Sequence, residues 1–251
     1  MTNLEGEILH QFFDQWENKR GFLKEIPSFS FRRNSSITFG IIVIDLGERQ
    51  RPEQEEDIYN IPFSDKVNII LHAHHKPYTR TLSIAFNQWR KNEIFQWLQG
   101  FGRFETSNDP YVHFEAYISK VTKPRLYKQG LITCEIELMV NPYAYLNSGE
   151  TEITITSGMT LHNPGTWIAQ PTLSVFGSGN GEIAINGRSI YLSDIEEELV
   201  INSHLKKIYR EQKNEGQKMQ GDFPYLDLGA SKIEYTGGIT SLSMIPGWCY
   251  L

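Results

Sequence analysis

Ile183-Ala184-Ile185-Asn186-Gly187-Arg188-Ser189-Ile190 decides the fold class. Apolar residues alternate on either side of Asn186-Gly187, a dipeptide that readily takes the two positive φ values of a type I′ turn. The resulting register sets Ile183 opposite Ile190, buries that pair on one face, and leaves Glu182 and Arg188 free to reach water. The segment specifies a β-hairpin and no chemistry.

Outward from it, the chain after residue 150 reads as short strands at β-sandwich spacing. They are Glu152 to Thr156, Pro171 to Phe176, Gly181 to Leu192, Leu199 to Asn202, Lys232 to Tyr235 and Ile239 to Ile245. Gly177-Ser178-Gly179-Asn180-Gly181 reads as a tight turn. It lacks the following helix that a phosphate cradle needs. Glu196-Glu197-Glu198 reads as a charged turn between Leu192 and Leu199.

Upstream, Leu146-Asn147-Ser148-Gly149-Glu150 is the most linker-like stretch, which divides the chain into residues 1–146 and 147–251. Before it, Tyr111 to Ile118 and Leu131 to Leu138 approach period-two alternation and predict two antiparallel strands, ended by Asn141-Pro142-Tyr143. Ile94, Phe95 and Leu98 form one stripe of a helix over Gln88 to Gln99, stopped by Gly100. Further strands are expected at Ser36 to Val43 and Val67 to Leu71, with the charged stretch Glu48 to Asp57 as a solvated loop. Leu4, Ile8, Leu9, Phe12, Phe13 and Trp16 predict an amphipathic helix over residues 4–20. Its aromatic stripe packs either on its own domain or on a neighbouring subunit, so Phe12, Phe13 and Trp16 are candidate interface residues.

The chain has 251 residues, 39% of them hydrophobic, and a formal charge of −6. That length buries a real core, and the acidic balance gives no basic field for nucleic acid or anionic membranes. The longest apolar run, Phe39 to Leu46, is broken by Gly40 and Asp45 and falls far short of the roughly 20 residues of a membrane span. Carboxylates at Glu5 and Glu7 stand where a secretion signal carries positive charge, so folding in a cytoplasm is expected. Two cysteines, Cys134 and Cys249, make neither a disulfide framework nor a four-ligand zinc site.

Two clusters invite a metal. His72-Ala73-His74-His75 places His72 and His74 on one strand face, but Lys76-Pro77 follows where a metallohydrolase needs Asp and His. Glu53, Glu55, Glu56 and Asp57 sit beside Arg49 and Arg51, the composition of an exposed face. No G-x-S-x-G, Walker A or H-E-x-x-H motif occurs. Trp89, Trp97, Trp167 and Trp248 are available for sugar stacking, though aromatic side chains in a β protein mostly serve cores and interfaces. No catalytic, cofactor-binding or metal residue is assigned.

An ordered set of phrases in the second half resembles the distal tail (Dit) proteins of siphophages. It runs from Asn141-Pro142-Tyr143 through Asn163-Pro164-Gly165-Thr166, Ala169-Gln170-Pro171, Gly177 to Gly181 and Asn186-Gly187. It continues with Gly221-Asp222-Phe223-Pro224, Leu226, Gly229, Tyr235-Thr236-Gly237 and Pro246-Gly247-Trp248. The first half matches more loosely, at Phe39-Gly40, Trp97-Leu98 and Ser107-Asn108-Asp109-Pro110. Ala230 departs from the family's usual Asn, and the helix at 4–20 is an addition to the family pattern.

The resemblance implies a mainly β chain of two domains: an N-terminal tail-tube-like β domain with two helices, and a C-terminal galectin-like β-sandwich. It implies a homo-hexameric ring at the distal tail end of the virion. That ring would join the tail tube protein to the tail-associated protein and carry receptor-binding or baseplate proteins. It implies no cofactor, nucleic acid or membrane insertion. The alternative is a lectin-like module recognising a host cell-wall saccharide.

Overall fold

A computed structural model describes residues 26–60, 65, 67–126 and 130–251. The first elements are β1 (Phe29–Phe31), β2 (Asn34–Ser35), β3 (Ile42–Asp45), β4 (Gln54–Asn60), β5 (Val67–His75) and β6 (Tyr78–Asn87). A 3-10 turn (Gln88–Arg90) leads into α1 (Lys91–Trp97), followed by β7 (Gly100–Thr106), β8 (Val112–Val121), β9 (Arg125–Leu126) and β10 (Leu131–Leu146). After a 3-10 turn (Asn147–Glu150) come β11 (Ile153–Ile155), β12 (Met159–Asn163), β13 (Thr172–Ile185), β14 (Arg188–Asn202), β15 (Lys207–Arg210) and β16 (Lys213–Asn214). The last are β17 (Met219–Gln220), β18 (Gly229–Ile245) and β19 (Cys249–Tyr250). The chain is mainly β, as its alternation predicts.

The first sheet has the order β2-β1-β7-β8-β10-β6-β3, with β9 and β19 added on β10. Alternation drives it: Ile132, Cys134, Ile136, Leu138 and Val140 of β10 all point into one core. The helix caps that core. The Asn87 side chain accepts from Trp89 N at 3.1 Å to start the 3-10 turn, and Ile94, Trp97 and Leu98 are buried. The Trp97 ring stacks on Phe39 at 4.3 Å and Phe29 at 5.6 Å, while its Nε1 donates to Phe31 O at 3.0 Å.

The second sheet has the order β11-β18-β13-β14-β15-β16, with β12 on β18 and β17 on β14. Its core is aliphatic, built on Leu173, Val175, Ile183, Ile185, Ile201, Ile233, Leu242 and Met244. The hairpin adopts the expected register, Ile183 facing Ile190. Asn186 (φ 50°) and Gly187 (φ 78°) form its turn.

Several boundaries differ from the sequence expectation. The six short strands read after residue 150 are largely merged into three long ones, β13, β14 and β18, of 14, 15 and 17 residues. Gly177 to Gly181 is therefore no turn but a bend inside β13, where the register with β18 slips. Glu196 to Glu198 likewise lies within β14, accommodated by positive φ at Asp194 and Glu197. Asn141-Pro142-Tyr143 does not end β10. The register with β8 jumps between Val140 and Ala144, and such a bulge tolerates a proline that has no N–H to give the ladder. Ser36 to Gly40 is a turn ahead of β3, closed by Gly40 N to Ile37 O and Ile41 N to Ser36 O. The end of the charged stretch, Gln54 to Asp57, is strand rather than loop, paired with β5 in a separate ribbon.

The chain's end returns to its first sheet. Tyr145 pairs with Cys249 and Ala144 with Tyr250, Leu146 packs against both cores, and Gly149 lies under Trp248. Both cysteines are buried and free. Burial pushes the Cys134 thiol up to about 11 and the Cys249 thiol to about 12.

Candidate interaction surfaces

Phe12, Phe13 and Trp16 lie outside the described residues. The other residues singled out in the sequence fall into a few groups in space.

The first group is a knot of turns around Asp227. Asn163 Nδ2 donates to Trp167 O at 2.9 Å and Asp227 O at 3.2 Å, while its Oδ1 accepts from Gly165 N at 2.8 Å. Asn186 Nδ2 donates to Asp227 Oδ2 at 2.6 Å, and Arg188 grips both carboxylate oxygens at 2.8 and 3.3 Å. Arg188 also lies over the Tyr225 ring at 3.9 Å. The Arg188 guanidinium, helped by the Asn186 amide, holds the Asp227 carboxyl below its ordinary range. Gly229 pairs with Asn163, and Ala169 bridges Leu226, so phrases far apart in sequence meet here. Pro164 leads into the Gly165 turn. Pro224 is buried, and Phe223 packs on the second core with Lys206 Nζ 5.3 Å over its ring. A Cβ on Gly165 would come 2.2 Å from Cys249 O, which ties this knot to Trp248 and the chain end.

The second group is the glycine bend. A Cβ on Gly177 would stand 2.1 Å from Gly238 O, and one on Gly238 would stand 1.8 Å from Ser178 O. Gly237 (φ 77°) turns back against Asn180, while Gly179 (φ 76°) faces open space. Gly221 (φ 115°) closes on Ser189 and Ile190. Gly238 and Asp227 were not singled out by sequence reading. No local pattern marks them, because their importance comes from a partner strand or loop.

The third group is the β4–β5 ribbon, which joins the two clusters read separately in the sequence. His72 Nε2 lies 2.9 Å from Asp57 Oδ2 and His74 Nε2 lies 2.6 Å from Glu55 Oε2. These are cross-strand pairs on an exposed face. Among the described residues, no group of three or more His, Cys, Asp or Glu has metal-holding geometry. His75, at the ribbon base, meets the Trp167 ring at 4.9 Å and Tyr143 at 6.1 Å, and its Nδ1 is buried with no hydrogen-bond partner among the described residues. Of the described tryptophans only Trp89 is freely exposed, at 83%.

No family model matches this chain, and no curated protein does. Solved structures do. The SPP1 Dit protein, described as a paradigm of the hub adsorption apparatus in phages infecting Gram-positive bacteria, superposes with a TM-score of 0.68. The match covers 88% of this chain and 98% of that one at 11% identity. The fold is that of a distal tail protein. A chain of the phage P2 baseplate, in its activated conformation with Ca, matches more distantly: TM-score 0.51, 9% identity, 87% of this chain and 97% of that one. The distal tail fold thus extends over both sheets, including the first, where the sequence resemblance was loosest.

Proposed function

We propose that this chain is the structural hub of a phage tail tip or baseplate. Six copies close a ring that joins the tail tube protein to the tail-associated protein and to receptor-binding or baseplate proteins. Residues 1–146 form the ring and residues 147–251 project outward. The chain folds and assembles in the host cytoplasm and resides at the distal tail end of the virion. The role is architectural rather than catalytic. The observation that carries this reading is the end-to-end match to the SPP1 Dit protein over 98% of that chain. The turn phrases support it, because residues such as Asn163, Asn186 and Gly229 hold one knot rather than a reactive site. The helix read at 4–20, with Phe12, Phe13 and Trp16, contributes to assembly in this reading.

Electron microscopy and native mass measurement of the purified full chain test it. A six-fold ring is expected. A monomer that binds cell-wall saccharide, and loses that binding in Trp89→Ala, would overturn the hub in favour of the lectin. Deleting residues 1–21 is expected to weaken the ring, and an unchanged oligomer would remove the helix from the interface.

A further inference from the structure

The chain contains two Asn-Gly dipeptides, Asn180-Gly181 and Asn186-Gly187, and such a dipeptide can modify itself. The backbone nitrogen of the glycine, with no side chain beside it, attacks the asparagine Cγ. The new Cγ–N bond closes a succinimide as the Cγ–Nδ2 bond breaks, and Nδ2 leaves as ammonia with the proton that the glycine nitrogen gives up. Water then opens the ring at either carbonyl, leaving aspartate or isoaspartate. The two dipeptides stand in different surroundings. Gly181 lies in β13 with Leu192 paired on one side and Gly237 on the other, so its nitrogen belongs to a strand flanked by partners. Gly187 sits at the exposed tip of the hairpin, and nothing stands within 4 Å of the place a Cβ would take. The attacking nitrogen of the second dipeptide is open to water, and the restraint falls on the amide instead.

That amide is held at both of its ends. Asn186 Nδ2 donates to Asp227 Oδ2 at 2.6 Å and to Ala230 O at 3.5 Å, and its Oδ1 accepts from Lys232 N at 2.8 Å. Asp227 is fixed in turn by Arg188, and its own N–H donates to Ser231 Oγ at 3.2 Å. To bring Cγ onto Gly187 N, the Asn186 side chain must turn away from all of these partners, so cyclisation waits on a local opening. We propose that Asn186 is a latent modification site of this chain, an asparagine ready to cyclise onto Gly187, and that the Asp227 carboxylate keeps it closed. The short bond to a charged acceptor is the strongest of the three, so Asp227 carries most of the restraint. Conversion undoes the knot from within. A carboxylate at position 186 has no hydrogen to give Asp227 and repels it. Isoaspartate also adds a backbone carbon to a two-residue turn, which the pairing of Ile185 with Arg188 does not accommodate.

The test incubates the purified full-length chain in mildly alkaline buffer and follows both dipeptides by peptide mapping. The mass gain of amide-to-acid conversion and labelling by an isoaspartyl methyltransferase are the readouts. In the folded wild type, Asn186 is expected to convert at least about tenfold more slowly than in the same chain unfolded in urea. Asp227→Ala is expected to raise the folded rate at Asn186 about tenfold and to leave Asn180 unchanged. Asp227→Asn, with a neutral oxygen in the same place, should give a smaller rise. Asn180 separates release of the amide from loss of the fold, because an unfolded variant speeds both sites together. Acceleration at both sites in both variants would overturn the proposal, as would a rate at Asn186 that neither variant changes. A folded wild type that converts at Asn186 as fast as the unfolded chain would overturn it too, since the site would then stand open.

Discussion

The two cores fill the same need with different side chains. Among the described residues, the first buries Phe29, Phe31, Tyr78, Phe86, Trp97, Phe104 and Phe114, and the second buries a single aromatic residue, Trp248. The first sheet is closed by an added piece, the helix, whose Trp97 plugs the space beside Phe29 and Phe39. The second closes with its own strands, bent where glycines let β13 and β18 approach within backbone contact. A plug tolerates irregular strands around it, whereas a bend fixes particular backbone positions and little else. The first core is therefore expected to be sensitive to side-chain volume, and the second to any added Cβ at the bend.

Truncating the plug should have the largest effect. Trp97→Ala removes two ring stacks and the bond to Phe31 O, and about 4 kcal/mol of stability is expected to go with it. Urea unfolding followed by near-ultraviolet circular dichroism measures this. Hydrogen exchange should show amides of β13 still protected after the first core has opened. Simultaneous loss of both would mean that β19 and Leu146 weld the cores into one cooperative unit.

At the bend, Gly238→Val drives a side chain into Ser178 O, and no rotamer relieves a Cβ clash. A loss of about 3 kcal/mol is expected, while Gly179→Ala, facing open space, should be limited to the strain of its positive φ, about 1 kcal/mol. Equal effects at the two positions would refute the bend as the constraint.

The same contrast explains what the sequence disclosed. The Asn186-Gly187 hairpin was legible because turn and flanking alternation are contiguous, so the signal is local. Gly177 to Gly181 misled because glycines look alike in a turn and in a bend. What distinguishes them is Gly238, some sixty residues away in β18. The acidic run and the histidine cluster read as unrelated because Glu55, Glu56 and Asp57 put charge on both faces of β4 and hide its alternation. Only pairing with β5 sets Asp57 against His72. The turn phrases were visible one by one, but Asp227, on which several converge, belongs to none of them.

A smaller effect is expected at that convergence. Arg188→Ala removes a two-pronged grip on Asp227, yet both side chains are over a third exposed, so solvent screening limits the loss to about 1 kcal/mol. The Asp227 carboxyl is held below its ordinary value in the fold. Its contribution is therefore present above the unfolded value of 3.8 and fades as pH falls through that value and below. Thermal melts at pH 7 and pH 3 should show a smaller gap between wild type and Arg188→Ala at the lower pH. An unchanged gap would mean that Arg188 acts by packing on Tyr225 alone.

The weakest of these effects sits where the ribbon meets the second half. Burial, together with the Arg51 charge and His74, pushes the His75 imidazole below its ordinary 6.5. A lowered value means that the folded state resists protonation. Above about 6.5 the contact is insensitive to pH, and below it the unfolded chain gains a proton that the docked ring does not, so docking weakens as pH falls. The Trp167 ring against His75 reports the change. The fluorescence difference between wild type and Trp167→Phe should be steady from pH 8 to 7 and shift between pH 6.5 and 5. His75→Gln, neutral throughout, should abolish that shift. A shift that survives His75→Gln would place the titrating group elsewhere and leave the Trp167 contact a purely apolar hinge between ribbon and second sheet.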